Sequence, residues 1–137
     1  MEEVNKLVEY SGGCHCGKVK FRALAPQHLV AWSCNCSICN MRRNDHIVVP
    51  ESQFTLDESS REFLKEYTFN THTAKHTFCK VCGITSFYRP RSNPDGLGIT
   101  LYCLTEPAPL SVEIKNFDGE NWEDFIEGSG IREHSKP

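Results

Sequence analysis

The chemistry-bearing feature of this chain is its cysteines, eight of them in 137 residues. Seven fall in three tight clusters: Cys14-His15-Cys16-Gly17, Cys34-Asn35-Cys36-Ser37-Ile38-Cys39 and Cys79-Lys80-Val81-Cys82-Gly83. Cys103 stands apart. Short C-x-C and C-x-x-C turns let two thiolates converge on one ion at a Zn–S distance of about 2.3 Å. A secreted domain would instead pair its cysteines as disulfides, and a dithiol could be a redox centre. Residues 1–6 show neither a basic n-region nor an apolar h-region, so we expect an intracellular protein, cytoplasmic or nuclear, and metal ligation leads.

Two of the clusters share one design, a pair of thiolates followed at once by glycine. Two plus two makes a Cys₄ tetrahedron from Cys14, Cys16, Cys79 and Cys82, the closed arrangement of a structural zinc. Cys34, Cys36 and Cys39 bind an ion without completing a tetrahedron. Their fourth position falls to water, a substrate or another side chain, which is the pattern of a reactive zinc. Cys103, in an apolar stretch, either fills that position or is simply buried. His46, close after the middle cluster, is the histidine best placed to serve as a proton carrier. His15, His72 and His76 read as structural or solvent-facing. Arg42, Arg43, Arg89 and Arg91 are surface charges or clamps for an anionic ligand.

The elements that must hold these residues read as short strands. Residues 18–23 alternate, with Val19, Phe21 and Ala23 on one face. Further strands are expected at 29–33, 46–49, 85–89, 98–103 and 112–115, with an antiparallel pair at 63–69 and 74–78. Residues 11–17 form a glycine-rich turn and 92–96 a second turn. Helix is confined to a turn after Ser37 and a short segment at 122–126. Without a βαβ rhythm a parallel sheet is not expected. Phe21, Trp32, Phe78, Phe87 and Phe117 are the expected core aromatics. The fold class is mainly β, with little helix, in a single domain spanning 1–137.

Composition sets limits on partners. Hydrophobic residues make up 39 % and charged residues 24 %, and the formal charge is −3. A cationic face for nucleic acid is not expected, the less so because a Cys₄ zinc adds about −2 and a Cys₃ zinc about −1. No run approaches 18 consecutive apolar residues, so no membrane span is expected.

The three clusters, in this order and at this separation, resemble the glutathione-dependent formaldehyde-activating enzyme family over roughly residues 10–125. Residues 67–72, 76–79, 86–88 and 90–94 look most like its centromere protein V branch. The resemblance implies a small zinc-bound β-tent of antiparallel sheets. It implies two Zn²⁺ per chain, one structural at Cys14, Cys16, Cys79 and Cys82 and one exchangeable at Cys34, Cys36 and Cys39. It implies a carbon–sulfur lyase whose reverse reaction adds glutathione to formaldehyde, giving S-hydroxymethylglutathione. Many bacterial members have histidine where this chain has Asn35. Two functions stay open: an enzyme that takes a thiol at the second zinc beside a small aldehyde, or a non-catalytic zinc module that carries a thiol or binds a protein.

Overall fold

The computed structural model describes residues 6–69 and 71–136. The N-terminal segment read for a leader (except Lys6) and Asn70 of the expected hairpin lie outside the described residues. The strands are β1 (Leu7–Gly13), β2 (Lys20–Pro26), β3 (His28–Cys34), β4 (Asp45–Pro50), β5 (Phe54–Leu56), β6 (Leu64–Tyr67), β7 (His76–Cys79), β8 (Phe87–Tyr88), β9 (Gly96–Thr100), β10 (Leu104–Glu106) and β11 (Ser111–Phe117). Two short helices, α1 (Ser37–Arg42) and α2 (Trp122–Ser129), complete the set with several 3₁₀ turns.

The strands build a four-stranded sheet in the order β10-β1-β2-β5, a five-stranded sheet in the order β11-β3-β4-β9-β8, and the separate hairpin β6-β7. The chain is therefore mainly β with little helix, as the alternation of apolar residues predicts. Tyr10, Phe21, Ala23 and Ala25 from the first sheet meet Leu29, Ala31, Ile47, Val49 and Ile99 from the second in one buried cluster. The other face of the second sheet is covered as well: Trp32, Val48 and Phe117 pack with Ile126 of α2 and Ile131. Period-two alternation in β3 and β4 feeds both layers, with Ala31 and Trp32, or Ile47 and Val48, pointing opposite ways. Phe21, Trp32, Phe87 and Phe117 are core, whereas Phe78 is half-buried.

Several boundaries differ from the sequence reading. Residues 11–13 continue β1, because Gly12 and Gly13 pair with Phe21 and Lys20. Glycine is needed at 12, where a Cβ would stand 2.4 Å from the Phe21 ring. The stretch 98–103 splits, β9 ending at Thr100 before a 3₁₀ turn, Leu101–Cys103. The expected strand 85–89 shrinks to Phe87–Tyr88.

The largest departure concerns β11, which pairs parallel with β3 in the register Phe117↔Cys34. The other strand pairings described are antiparallel. A parallel pair needs a long connection; here the rest of the sheet lies between, so no βαβ signal marks it. Its consequence is local, since it delivers the backbone after Phe117 to the middle cysteine cluster.

Candidate metal centres

The first knuckle follows β1, and the second follows β7. At each, the glycine after the cysteines takes a left-handed conformation, Gly17 with φ 82° and Gly83 with φ 79°. That conformation is cheap for glycine alone. It turns the chain so that Cys14 to Cys16 and Cys79 to Cys82 face one another. The four ligand sulfurs lie within 4.8 Å of one another. Cys14 and Cys16 Sγ are 3.5 Å apart, and Cys16 and Cys79 Sγ are 3.6 Å apart. Those spacings are far too long for a disulfide bond of about 2.05 Å. They approach the edge of about 3.8 Å that a tetrahedron with 2.3 Å Zn–S bonds would have. All eight cysteines are free.

Backbone amides support negative charge on this cluster. Val19 N–H donates to Cys14 Sγ at 3.3 Å, and Val81 N–H to Cys79 Sγ at 3.4 Å. Burial opposes ionisation of Cys82, yet N–H groups of Cys16 and Ile84 bring its thiol down to about 6. Thiolate is the ligand form, so the donor set fits a soft or borderline cation such as zinc.

The second cluster comes from one continuous segment. Cys34 ends β3, Cys36 precedes α1, and Cys39 lies one turn into that helix. Asn40 N–H bonds back to the Cys36 carbonyl at 2.9 Å, which closes the turn and sets Cys36 and Cys39 on one side. Arg43 ends the helix in a left-handed conformation with φ 54°. The three sulfurs lie within 4.8 Å of one another, and no fourth histidine, cysteine or carboxylate joins them among the described residues. Hydrogen bonds from Cys34, then Cys39, drive Cys36 down to about 2. The same contact with Cys36 raises Cys34 to about 11, and Cys39 is pushed up as well by both neighbours. Three crowded thiols thus share one negative charge until a cation replaces their protons.

Above this triad opens a cavity of about 450 Å³. His46 and His76 both face it, and Tyr88 stands between them. The Tyr88 hydroxyl lies 3.1 Å from His46 Nε2 and within hydrogen-bond reach of Cys39. His46 Nδ1 faces the Asn44 carbonyl at 3.4 Å. A carbonyl only accepts, so Nδ1 carries the hydrogen and Nε2 accepts from Tyr88. Burial lowers His46 to about 4 and, with the neighbouring thiols, holds Tyr88 well above its ordinary 10. At neutral pH the pair is a neutral imidazole and an intact phenol.

Gly98 and Gly119 make the room. A Cβ on Gly98 would meet the Tyr88 ring at 2.7 Å and His46 Cδ2 at 3.2 Å. A Cβ on Gly119 would stand 2.5 Å from Cys34 Sγ and 2.7 Å from Cys36 Cβ. Asn35 N–H donates to the Phe117 carbonyl at 3.2 Å, and the Asn35 amide to Asp118 Oδ1 at 3.2 Å. The parallel pairing of β11 thus straps Gly119 over the triad.

His46 lines the cavity beside the triad, and all seven clustered cysteines converge as two groups. Cys103 does not join the triad. Its half-buried thiol faces the Thr85 carbonyl at 3.9 Å, in a separate cleft with Cys14, Arg42 and Arg43. Arg89 pairs with Glu51 at 2.7 Å. Arg91 reaches the cavity but is held by Glu123 at 2.5 Å and lies 3.8 Å over Trp122. The reading missed Tyr88 and Gly119, and His76 belongs to the cavity wall rather than only to the scaffold.

Two packed β layers carrying a four-cysteine and a three-cysteine group, each able to hold a metal ion, define the class of protein. Residues 9–120 match the family model described as glutathione-dependent formaldehyde-activating enzyme, and the chain belongs to that family. The crystal structure of a Rhodobacter sphaeroides protein is also similar. It shares 32 % sequence identity with a TM-score of 0.64, over 77 % of this chain and 99 % of that one.

Proposed function

We propose that this chain promotes the addition of glutathione, or a similar thiol, to formaldehyde, giving S-hydroxymethylglutathione. Cys14, Cys16, Cys79 and Cys82 hold a structural zinc in this reading. Cys34, Cys36 and Cys39 hold a second, exchangeable one. When bound there, zinc lowers the pKa of an incoming thiol and keeps it as thiolate at neutral pH. The observation that carries the reading is the incomplete triad: three sulfurs within 4.8 Å, facing a cavity, with no fourth side-chain ligand among the described residues.

The chain's own residues have three tasks. Cys34, Cys36 and Cys39 set the charge of the site and leave one direction open. Phe117 and Gly119 form part of the cavity wall beside the triad, and Gly119 packs against Cys34. His46 and Tyr88 handle the proton. The thiol gives up its proton on becoming thiolate, its sulfur then bonds to the aldehyde carbon, and the carbonyl oxygen gains a proton as its π pair moves onto it. The Tyr88 hydroxyl, within reach of Cys39, takes the thiol's proton as it passes its own to His46 Nε2, and the reverse shift delivers a proton to the carbonyl oxygen. Because thiols add to formaldehyde readily without help, capture and orientation supply most of the effect.

The test is zinc content with X-ray absorption, before and after glutathione. Two zincs, one of which gains a sulfur ligand, support the reading. Two saturated four-sulfur sites unchanged by thiol reduce the chain to a non-catalytic zinc module.

A further inference from the structure

A second opening lies beside the four-sulfur group, a cleft of about 510 Å³. Arg42, Arg43, Thr85, Tyr102 and Cys103 line it, and no aspartate or glutamate does among the described residues. Neither arginine takes part in the ion pairs described. Arg42 is half-buried, and its Nη1 is shut off from solvent without a hydrogen-bond partner. The Thr85 hydroxyl is in the same state. The groups around them are already engaged: Thr100 and Cys103 both bond the Thr85 carbonyl, and the Tyr102 hydroxyl donates to Asp45 at 2.9 Å. Buried polar groups without partners are uncommon and call for an explanation. A guanidinium fork beside a hydroxyl is a donor set suited to a carboxylate. Cys14 lines the cleft too, and a zinc-bound thiolate there offsets the arginine charge, yet it puts no oxygen on Nη1.

The cleft and the thiol site share a helix. Cys39 of the triad and Arg42 are three positions apart on α1. Residues so spaced are neighbours on a helix surface, with Cβ atoms about 5–6 Å apart. The Arg42 charge is also felt at His76 in the wall of the triad's cavity, where it joins burial in lowering the imidazole pKa. An extended tripeptide spans about 10 Å. One molecule can therefore set its sulfur at the triad and a terminal carboxylate at Arg42.

We propose that the cleft at Arg42 and Arg43 is a carboxylate subsite for the thiol substrate, in which a terminal carboxylate of the tripeptide accepts from the Arg42 guanidinium and the Thr85 hydroxyl. The inference rests on the thiol-site reading above and names the residues that recognise the peptide part of its substrate. Arg43 at the rim adds charge that draws the anion in. Arg42 binds and orients the thiol and takes no part in bond making.

The experiment is calorimetric titration of the zinc-loaded full chain with three probes. They are glutathione, its diethyl ester, in which both carboxylates are blocked, and S-methylglutathione, which keeps the carboxylates and forms no thiolate. Glutathione binding at least about tenfold tighter than the diester, with that difference lost in Arg42→Met and partly kept in Arg42→Lys, supports the proposal. Arg42→Met should keep both zincs and its melt, because it strands no acceptor. Equal binding of glutathione and the diester by the wild-type chain overturns the proposal, leaves the thiol site standing and needs no variant to fold. A difference that survives Arg42→Met also overturns it, since the carboxylate then sits elsewhere. The thiol-site reading fails separately: S-methylglutathione binding as tightly as glutathione, and still through Arg42, keeps the carboxylate subsite and removes the sulfur contact. Binding of none of the three overturns both.

Discussion

The two cysteine groups use the same short turns and end up with opposite relations to the chain. The four-sulfur group joins segments far apart in sequence; Cys16 and Cys79, 3.6 Å apart, are separated by 63 positions. The three-sulfur group lies within one six-residue stretch and ties together nothing that β3 and α1 do not already join. An ion in the first group closes a long loop, so its binding energy becomes folding energy. An ion in the second adds little to the fold and leaves a direction open to a ligand. Under the proposed function, the same ligand type serves architecture in one place and reactivity in the other, by placement along the chain.

The largest effect should come from breaking the first group. Cys79→Ser leaves a buried position without its thiolate and opens the clamp, and we expect loss of the cooperative thermal transition, on the order of the whole stability of 5–15 kcal/mol. Cys36→Ser should stay folded, within about 2 kcal/mol of wild type, while losing one zinc and thiol binding. Circular dichroism melts with metal analysis read both. Equal unfolding of the two variants would remove the distinction drawn between the groups.

A smaller but more selective effect is expected at the strap. Gly119→Ala puts a methyl 2.5 Å from Cys34 Sγ. The backbone is held by the Phe117 and Asp118 contacts with Asn35, so the sulfur must give way. Affinity for the second zinc should fall by about tenfold or more, which is at least about 1.4 kcal/mol, while the first zinc and the melt are retained. Retention of both zincs at wild-type affinity under a competing chelator would show that the triad tolerates displacement.

Acid should also separate the two sides. His46, buried behind the triad, has its pKa lowered to about 4 by burial, from an ordinary 6.5; no buried histidine stands behind the first group among the described residues that line its cleft. As pH falls below 6.5 the unfolded chain takes up the proton first. Stability tied to neutral His46 is therefore intact above pH 6.5, declines between 6.5 and 4, and is lost below, a total of about 3 kcal/mol. Urea titrations across this range should show that slope in wild type and a flatter one in His46→Asn. Protonation of the cysteines is common to both proteins and cancels in the difference. Parallel curves would mean that His46 shares its proton freely with solvent.

How far the sequence reveals all this follows from which interactions are local. Cysteine spacing and the glycine after each pair are local signals, and both groups were legible from them. The alternation of Val19, Phe21 and Ala23 is local too, and all three residues are buried. Tyr88 and Gly119 were not legible. Tyr88 reaches the triad only because β8 pairs with β9 and places it opposite Gly98. Gly119 reaches it only through the parallel register of β11 on β3. Nothing near residue 119 announces a partner at residue 34. Splitting of the stretch 98–103 likewise depends on Thr100, whose hydroxyl donates to the Thr85 carbonyl and bonds Asn44 Oδ1, both distant in sequence.

The smallest expected effect tests why each group keeps its glycine. Gly119 has a crowded neighbourhood, whereas a Cβ on Gly17 or Gly83 would meet nothing within 4 Å. At Gly83 the constraint is the backbone alone, with φ at 79°. Gly83→Ala should therefore cost only the left-handed penalty, about 1–2 kcal/mol, with both zincs kept. Gly83→Asn should cost less, because asparagine tolerates that region better. At Gly119 the order reverses: asparagine is worse than alanine there, since it adds bulk where a Cβ already crowds Cys34 Sγ and Cys36. Chemical denaturation of the four variants reads this directly. If Gly83→Ala and Gly83→Asn lose equal stability and shed the first zinc, the knuckle needs glycine for more than its φ, and the closed group is as sterically confined as the open one.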